Sequence, residues 1–280
     1  MDRSSRQPHS VTHPAPCPLV VDDRTIVGHA QDIRLRLYRP LIGLAVPALL
    51  YLHGGGFTGG SLEDAETAAS MIAETIPALV VSVGYSLAPR HPFPTAAHDA
   101  HRAALWTQDA AQELGVTGAL GVAGHDAGGH VAASLTFLAR DLGEVAIAAQ
   151  VLLGPMLDPS MTRASQTTIR EAQAMGGEEA VASCAKCYRA YLPEASQRLH
   201  PYAAPLESRR LANLPPALIV TAQNDVLRIE AEHYAANLIA AGVPTEVTRF
   251  PAISNRALPN HRPALLAAAD FLRRRLTAAA

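Results

Sequence analysis

The sequence predicts an α/β fold: one domain built on a mostly parallel sheet. Short β-branched or apolar runs alternate with Ala-rich helical stretches along most of the chain, the pattern of strands joined by crossover helices. Most of these runs are continuously apolar rather than alternating, as strands covered on both faces require. Two of them end in glycine-containing clusters that open a loop or a helix.

The strands can be placed in order. Ile33 to Tyr38 alternates apolar and basic residues and stops at Pro40, and Ala48 to Leu52 is a buried run ending in three glycines. Ala78 to Val83, Ala119 to Ala123, Ala146 to Leu153, Ala217 to Thr221 and Thr245 to Phe250 follow. Between them, Asp64 to Thr75, Ala96 to Glu113, Gly128 to Leu142, Ile229 to Ala241 and Pro263 to Leu276 have the length and composition of helices. From Pro159 to about Leu214 the alternation breaks, with Gly176-Gly177 and a helical segment over Glu178 to Tyr191, which predicts a cap inserted into the domain. The domain is expected to span residues 25–280 with the cap at 159–214, and residues 1–24, rich in proline up to Leu19, to be loosely ordered.

Composition narrows the function. The 280 residues are 49% hydrophobic, 17% charged and 5% aromatic, which suits one sizeable core under Ala- and Leu-rich helices rather than two domains. A net charge of -2 with no basic run gives no electrostatic footprint for nucleic acid or an anionic membrane. No apolar run approaches the ~20 residues of a membrane span, and Arg3 and Arg6 are not followed by the apolar stretch of a signal peptide; a cytoplasmic protein is expected. Three cysteines make no disulfide framework, and Cys184 and Cys187 read as small residues on one helix face, with no second ligand pair to complete a zinc site. No cofactor and no metal are expected; His53, His125 and Asp126 could hold a metal only by converging in space.

Two motifs carry chemistry. His53-Gly54-Gly55-Gly56-Phe57 follows a buried strand, where glycines let the backbone turn tightly and present N–H groups to a ligand oxygen. Gly124-His125-Asp126-Ala127-Gly128-Gly129 lies between a strand and a helix, with small residues where a sharp turn must thrust its central side chain into a pocket. The expected oxyanion donors are the amides of Gly54, Gly55 and Ala127, helped by the positive end of the following helix. His53, Gly56, Phe57 and His125 are expected to line the ligand site. His130 reads as structural, His91, Pro92 and Pro94 as shaping a loop beneath the pocket, and Glu230 and Glu232 as a solvated helix face.

These motifs, with Tyr85-Ser86-Leu87-Ala88-Pro89-Arg90-His91-Pro92-Phe93-Pro94, Tyr202-Ala203-Ala204-Pro205-Leu206 and Asn224-Asp225-Val226-Leu227-Arg228, occur in an order that resembles the bacterial hormone-sensitive-lipase-type esterases of the α/β-hydrolase fold. The resemblance covers residues ~25 to 275, the size of one domain. It implies a small-molecule substrate or ligand and often a homodimer. It also implies a Ser-acid-His triad, of which Asp225 matches the acid, while Asp126 stands where serine is expected and Asn255, 30 residues beyond Asp225, where histidine is expected. Serine-esterase chemistry needs both missing groups.

Three functions remain open. One is an esterase-like hydrolase acting on small carboxylic ester-like substrates through Asp126, Asp225 and Asn255. Another is a noncatalytic relative that binds a small apolar ligand, as the plant gibberellin receptor does on this fold. The third follows from a Gly-His-Asp-x-Gly-Gly elbow that also resembles epoxide hydrolases and some dehalogenases, where an ionised aspartate attacks an sp³ carbon. That route needs a base to clear the ester, and after Tyr234 the chain offers only His261. A relatively open pocket for small acyl or aromatic ligands is expected.

Overall fold

The apolar runs in the middle of the chain pair with one another because each is too hydrophobic to face water. A computed structural model describes residues 17–41, 46–162, 170 and 177–276. Strands β3 (Val46–Leu52), β4 (Leu79–Gly84), β5 (Val116–His125), β6 (Ile147–Leu153), β7 (Ala217–Asn224) and β8 (Thr245–Ser254) are parallel. β1 (Leu19–Val27) and β2 (Asp32–Pro40) add an antiparallel hairpin at one edge. The eight-stranded order is β1-β2-β4-β3-β5-β6-β7-β8.

Strand alternation divides the core between two layers. Leu50 and Leu52 of β3 face α2 (Thr95–Asp109), α4 (Ala127–Leu142) and α6 (Arg228–Ala240), whereas Leu49 and Tyr51 face α1 (Leu62–Thr75) and α7 (Arg262–Leu276). All four of these β3 side chains are fully buried, each leucine's burial being worth roughly 1.5–3 kcal/mol. The cap region contributes α5 (Gly177–Tyr191), whose Tyr188 and Tyr191 are buried against Phe57.

Two expectations need correction. Residues 19–24 are ordered as part of β1: Leu19 pairs with Pro40 and Arg24 with Leu35, and the ion pairs of Asp23 with Arg34 (2.5 Å) and Arg36 (2.8 Å) tie the hairpin together. A half-polar edge strand lacks the continuous apolar run by which the inner strands were recognised. The helix expected from Ala96 to Glu113 ends at Asp109, and a separate turn, α3 (Ala111–Leu114), leads to Gly115 in the left-handed conformation (φ 67°). The remainder of the N-terminal segment, residues 1–16, and cap residues 163–169 and 171–176 lie outside the described residues.

Candidate active site

The site forms where β3, β5, β7 and β8 end, the side of a parallel sheet on which loops can be varied without disturbing the core. At the end of β5, Asp126 adopts φ 54°, ψ -119°, a strained conformation for a residue with a side chain, costing about 1–3 kcal/mol. Three backbone bonds hold it there: Asp126 N donates to Leu153 O (3.0 Å), and the Asp126 carbonyl accepts from His130 N (3.2 Å) and Met156 N (3.2 Å). The glycines of the motif have a packing reason. A Cβ on Gly128 would collide with the carbonyl oxygens of Leu52 and His53, and one on Gly124 with the backbone of Gly128, so only glycine lets α4 start this close to the strands.

The turn aims the Asp126 carboxylate at the triple-glycine loop. Oδ2 accepts hydrogen bonds from Gly55 N (3.0 Å) and Gly56 N (2.9 Å). The amides that bond the carboxylate are those of Gly55 and Gly56, whereas the loop amides expected to serve a ligand oxygen were those of Gly54 and Gly55. Gly54 serves by what it lacks: a Cβ there would sit 2.5 Å from His125 Nδ1 and 3.2 Å from Asp126 Cβ. Ala127 is the first residue of α4, fully buried directly behind the turn. The loop itself is braced by Tyr85, whose hydroxyl donates to His53 O (2.8 Å) and whose ring stacks on His53 at 4.3 Å.

Opposite the turn, Asp225 and Asn255 meet across the ends of β7 and β8. Asn255 Nδ2 donates to Asp225 Oδ2 (2.9 Å) and to Gly154 O (2.8 Å), and Asp225 Oδ1 accepts from Leu227 N (2.9 Å). His125 Nε2 lies 2.8 Å from Asn255 Oδ1 and 3.1 Å from Asn255 O. Burial raises the Asp225 carboxyl to about 7, against the opposing pull of the Leu227 and Asn255 hydrogen bonds; the Asp126 charge adds to the rise. Burial also lowers the pKa of His53, whose Nδ1 lies 2.8 Å from Gly54 O.

A cleft of about 1290 Å³ opens over these groups, lined by His53, Gly54, Gly55, Gly56, His125, Asp126, Asp225 and Asn255 together with Cys184 and Cys187. Sequence reasoning missed the two cysteines as cleft residues, because their place depends on how α5 crosses the site. Burial raises the Cys184 thiol, and the negative charge of Asp126 adds to the effect. Phe57, expected to touch ligand, is instead a buried anchor stacked on Tyr191 at 4.0 Å and edge-on to His130 at 5.0 Å. His130 is buried between Met156 O and Tyr202 O, and burial lowers its pKa to about 4. His261 packs edge-on against Phe250 at 4.9 Å and is not a lining residue of the cleft.

Glu230 corrects another expectation. It is buried rather than solvated, its Oε1 accepting from Leu157 N at 2.7 Å, and burial raises its pKa well above the carboxylate range. Glu232, by contrast, is partly exposed and paired with Arg249 at 2.6 Å. Among the described residues no group of three His, Cys, Asp or Glu side chains is placed to hold a metal ion, and His53, His125 and Asp126 bond Gly54 O, Asn255 and the loop amides respectively.

A sequence-family profile described as the alpha/beta hydrolase fold matches residues 49–254. The chain belongs to this alpha/beta hydrolase family. Among its relatives, Esterase LipI of Mycobacterium tuberculosis is 36% identical over 252 residues, covering 86% of this chain and 74% of the relative. An arylesterase of Saccharolobus solfataricus is 32% identical over 215 residues, covering 76% and 69%. The solved hyperthermophilic esterase from Pyrobaculum calidifontis superposes with a TM-score of 0.84 at 37% identity, covering 94% of this chain and 88% of that one. This alpha/beta hydrolase is thus of the esterase/lipase type, with the hormone-sensitive-lipase-like sequence pattern. No helix among its described residues is long and apolar enough to cross a membrane.

Proposed function

We propose that this hydrolase uses the Asp126 carboxylate as its nucleophile, attacking an electrophilic carbon of a small molecule bound in the cleft. The observation that carries the reading is the pair of hydrogen bonds from Gly55 and Gly56 to Asp126 Oδ2. Acyl transfer from an ester needs such donors for the substrate's own carbonyl oxygen, and here the protein's carboxylate occupies them. The same bonds suit the other chemistry: they fix one oxygen and leave Oδ1 to attack. An epoxide would open to an alkyl ester of Asp126, its oxygen taking a proton from water; a haloalkane would give the same ester with loss of halide. Substrates are small epoxides, haloalkanes or ester-like molecules whose alkyl carbon is the electrophile. Gly54 and Ala127 support the turn, and no cofactor enters the scheme.

A second reading, a noncatalytic protein that binds a small apolar ligand in this cleft, is favoured by Asn255. Its amide holds Asp225 in place but neither takes up nor releases a proton at neutral pH. Incubation with styrene oxide and with 1-bromobutane, followed by peptide mass spectrometry, separates the two readings. Adduct on Asp126 or consumption of either compound, abolished by Asp126→Ala, is expected. Neither adduct nor turnover over a broad panel of epoxides and haloalkanes, with saturable binding of apolar ligands, would leave the binding reading standing.

A further inference from the structure

We infer that His125 is the base that clears the Asp126 ester, aimed by Asn255 and Asp225; the inference rests on the nucleophile reading above. Hydrogen-bond inventory fixes the imidazole. Asn255 faces two acceptors, Gly154 O and Asp225 Oδ2, on one side of its amide, so that side is NH₂ and Oδ1 faces His125. His125 Nε2 is then met by two acceptors, Asn255 Oδ1 at 2.8 Å and Asn255 O at 3.1 Å, and must carry the proton. Nδ1 of the neutral ring keeps its lone pair, with no hydrogen-bond partner among the described residues.

That nitrogen lies beside the Asp126 turn. Nδ1 and Asp126 Cβ lie 2.5 Å and 3.2 Å from the spot that a side chain on Gly54 would fill, so both border the space the glycine leaves open, and all three residues line the cleft. Asp225 thus acts on the imidazole through Asn255, in a relay of acid, amide and ring, rather than directly. Asn255 is a positioning residue: its amide cannot carry a proton between the two but fixes which nitrogen is free.

The chemistry balances. A water between Nδ1 and the ester gives one proton to Nδ1 while its oxygen bonds to Asp126 Cγ. The negative charge goes to Oδ2, already held by the Gly55 and Gly56 amides. Collapse breaks the bond between Cγ and the alkyl-bearing oxygen, which leaves as the alcohol with the proton from His125. The new carboxylic acid then loses its proton to solvent, restoring the Asp126 carboxylate with one oxygen from water.

Two measurements on the full chain test this. Long-range ¹H–¹⁵N spectra of ¹⁵N-histidine-labelled protein should show His125 with its proton on Nε2, and Asn255→Ala should mix the two tautomers; an Nδ1 proton in the wild type overturns the inference. In single-turnover reactions with styrene oxide in H₂¹⁸O, the wild type should form the ester and lose it, leaving ¹⁸O on Asp126. His125→Gln, which keeps a polar side chain but has no base, should form the ester and hold it about 100-fold longer or more. Equal ester lifetimes in the two proteins overturn the role of His125 alone, whereas no ester in either removes Asp126 as nucleophile and with it the task assigned to His125.

Discussion

Asn255 donates its side-chain amide to Asp225 across 2.9 Å, joining the ends of β7 and β8 in the place where the sequence resemblance expects a histidine. An imidazole there and a hydroxyl at 126 would complete the ordinary triad. Asp126→Ser combined with Asn255→His should therefore hydrolyse short p-nitrophenyl esters well above the wild type. Each single change should gain little, because groups of a triad act as a unit. Steady-state rates of the four proteins check this, and an active Asp126→Ser alone would contradict it.

The buried carboxyl of Asp225 links stability to pH. Its folded pKa, about 7, lies above the unfolded value of 3.8, so the folded state binds the proton more tightly. The resulting stabilisation is complete below the unfolded pKa and is lost as pH rises through about 7. Glu230, raised in the same direction by burial, adds to it. The melting temperature of the wild type should fall between pH 5 and pH 8, by an amount on the order of 2–4 kcal/mol in unfolding free energy, and Asp225→Asn should flatten the slope.

Gly128→Ala should be severely destabilising, by more than about 3 kcal/mol. The added methyl group meets the carbonyl oxygens of Leu52 and His53, and backbone at the end of a central strand cannot move aside. Chemical denaturation against the wild type measures this. Gly115→Ala provides the contrast: nothing stands near its Cβ position, and its left-handed backbone limits the loss to about 1–2 kcal/mol.

Cleft thiols offer a probe of access. Cys187 and Cys184 both line the cavity, but burial raises the Cys184 thiol, which keeps it in the unreactive protonated form. Iodoacetamide at neutral pH should label Cys187 first. Its Sγ lies 2.5 Å from the position of a Cβ on Gly56, so labelling should block entry to the cleft and slow any modification of Asp126.

Much of this fold was legible because the central strands are long apolar runs and the two glycine motifs follow strands directly. The two glycine motifs and the family resemblance placed Asp126, Asp225, Asn255, Gly55 and His125 in one site, and all five line one cleft. What failed did so for physical reasons. That Gly56 N as well as Gly55 N would bond the Asp126 carboxylate was not legible, because three consecutive glycines do not show which amides a loop presents. Glu230 was read as solvated by its charge, although Leu227, Ala231, Tyr234 and Leu238 mark a buried stripe of α6 on which position 230 falls. Phe57 and the cysteines depended on α5, whose docking carries no local sequence signal.

The wall that α5 forms is separable from the floor beneath it. Asp126, Asp225 and Asn255 stand at strand ends braced by the core, while Cys184 and Cys187 belong to a cap helix that crosses above them. Exchanging side chains along that helix would reshape what the cavity admits and leave the reacting groups in register, so selectivity can drift in this chain faster than chemistry.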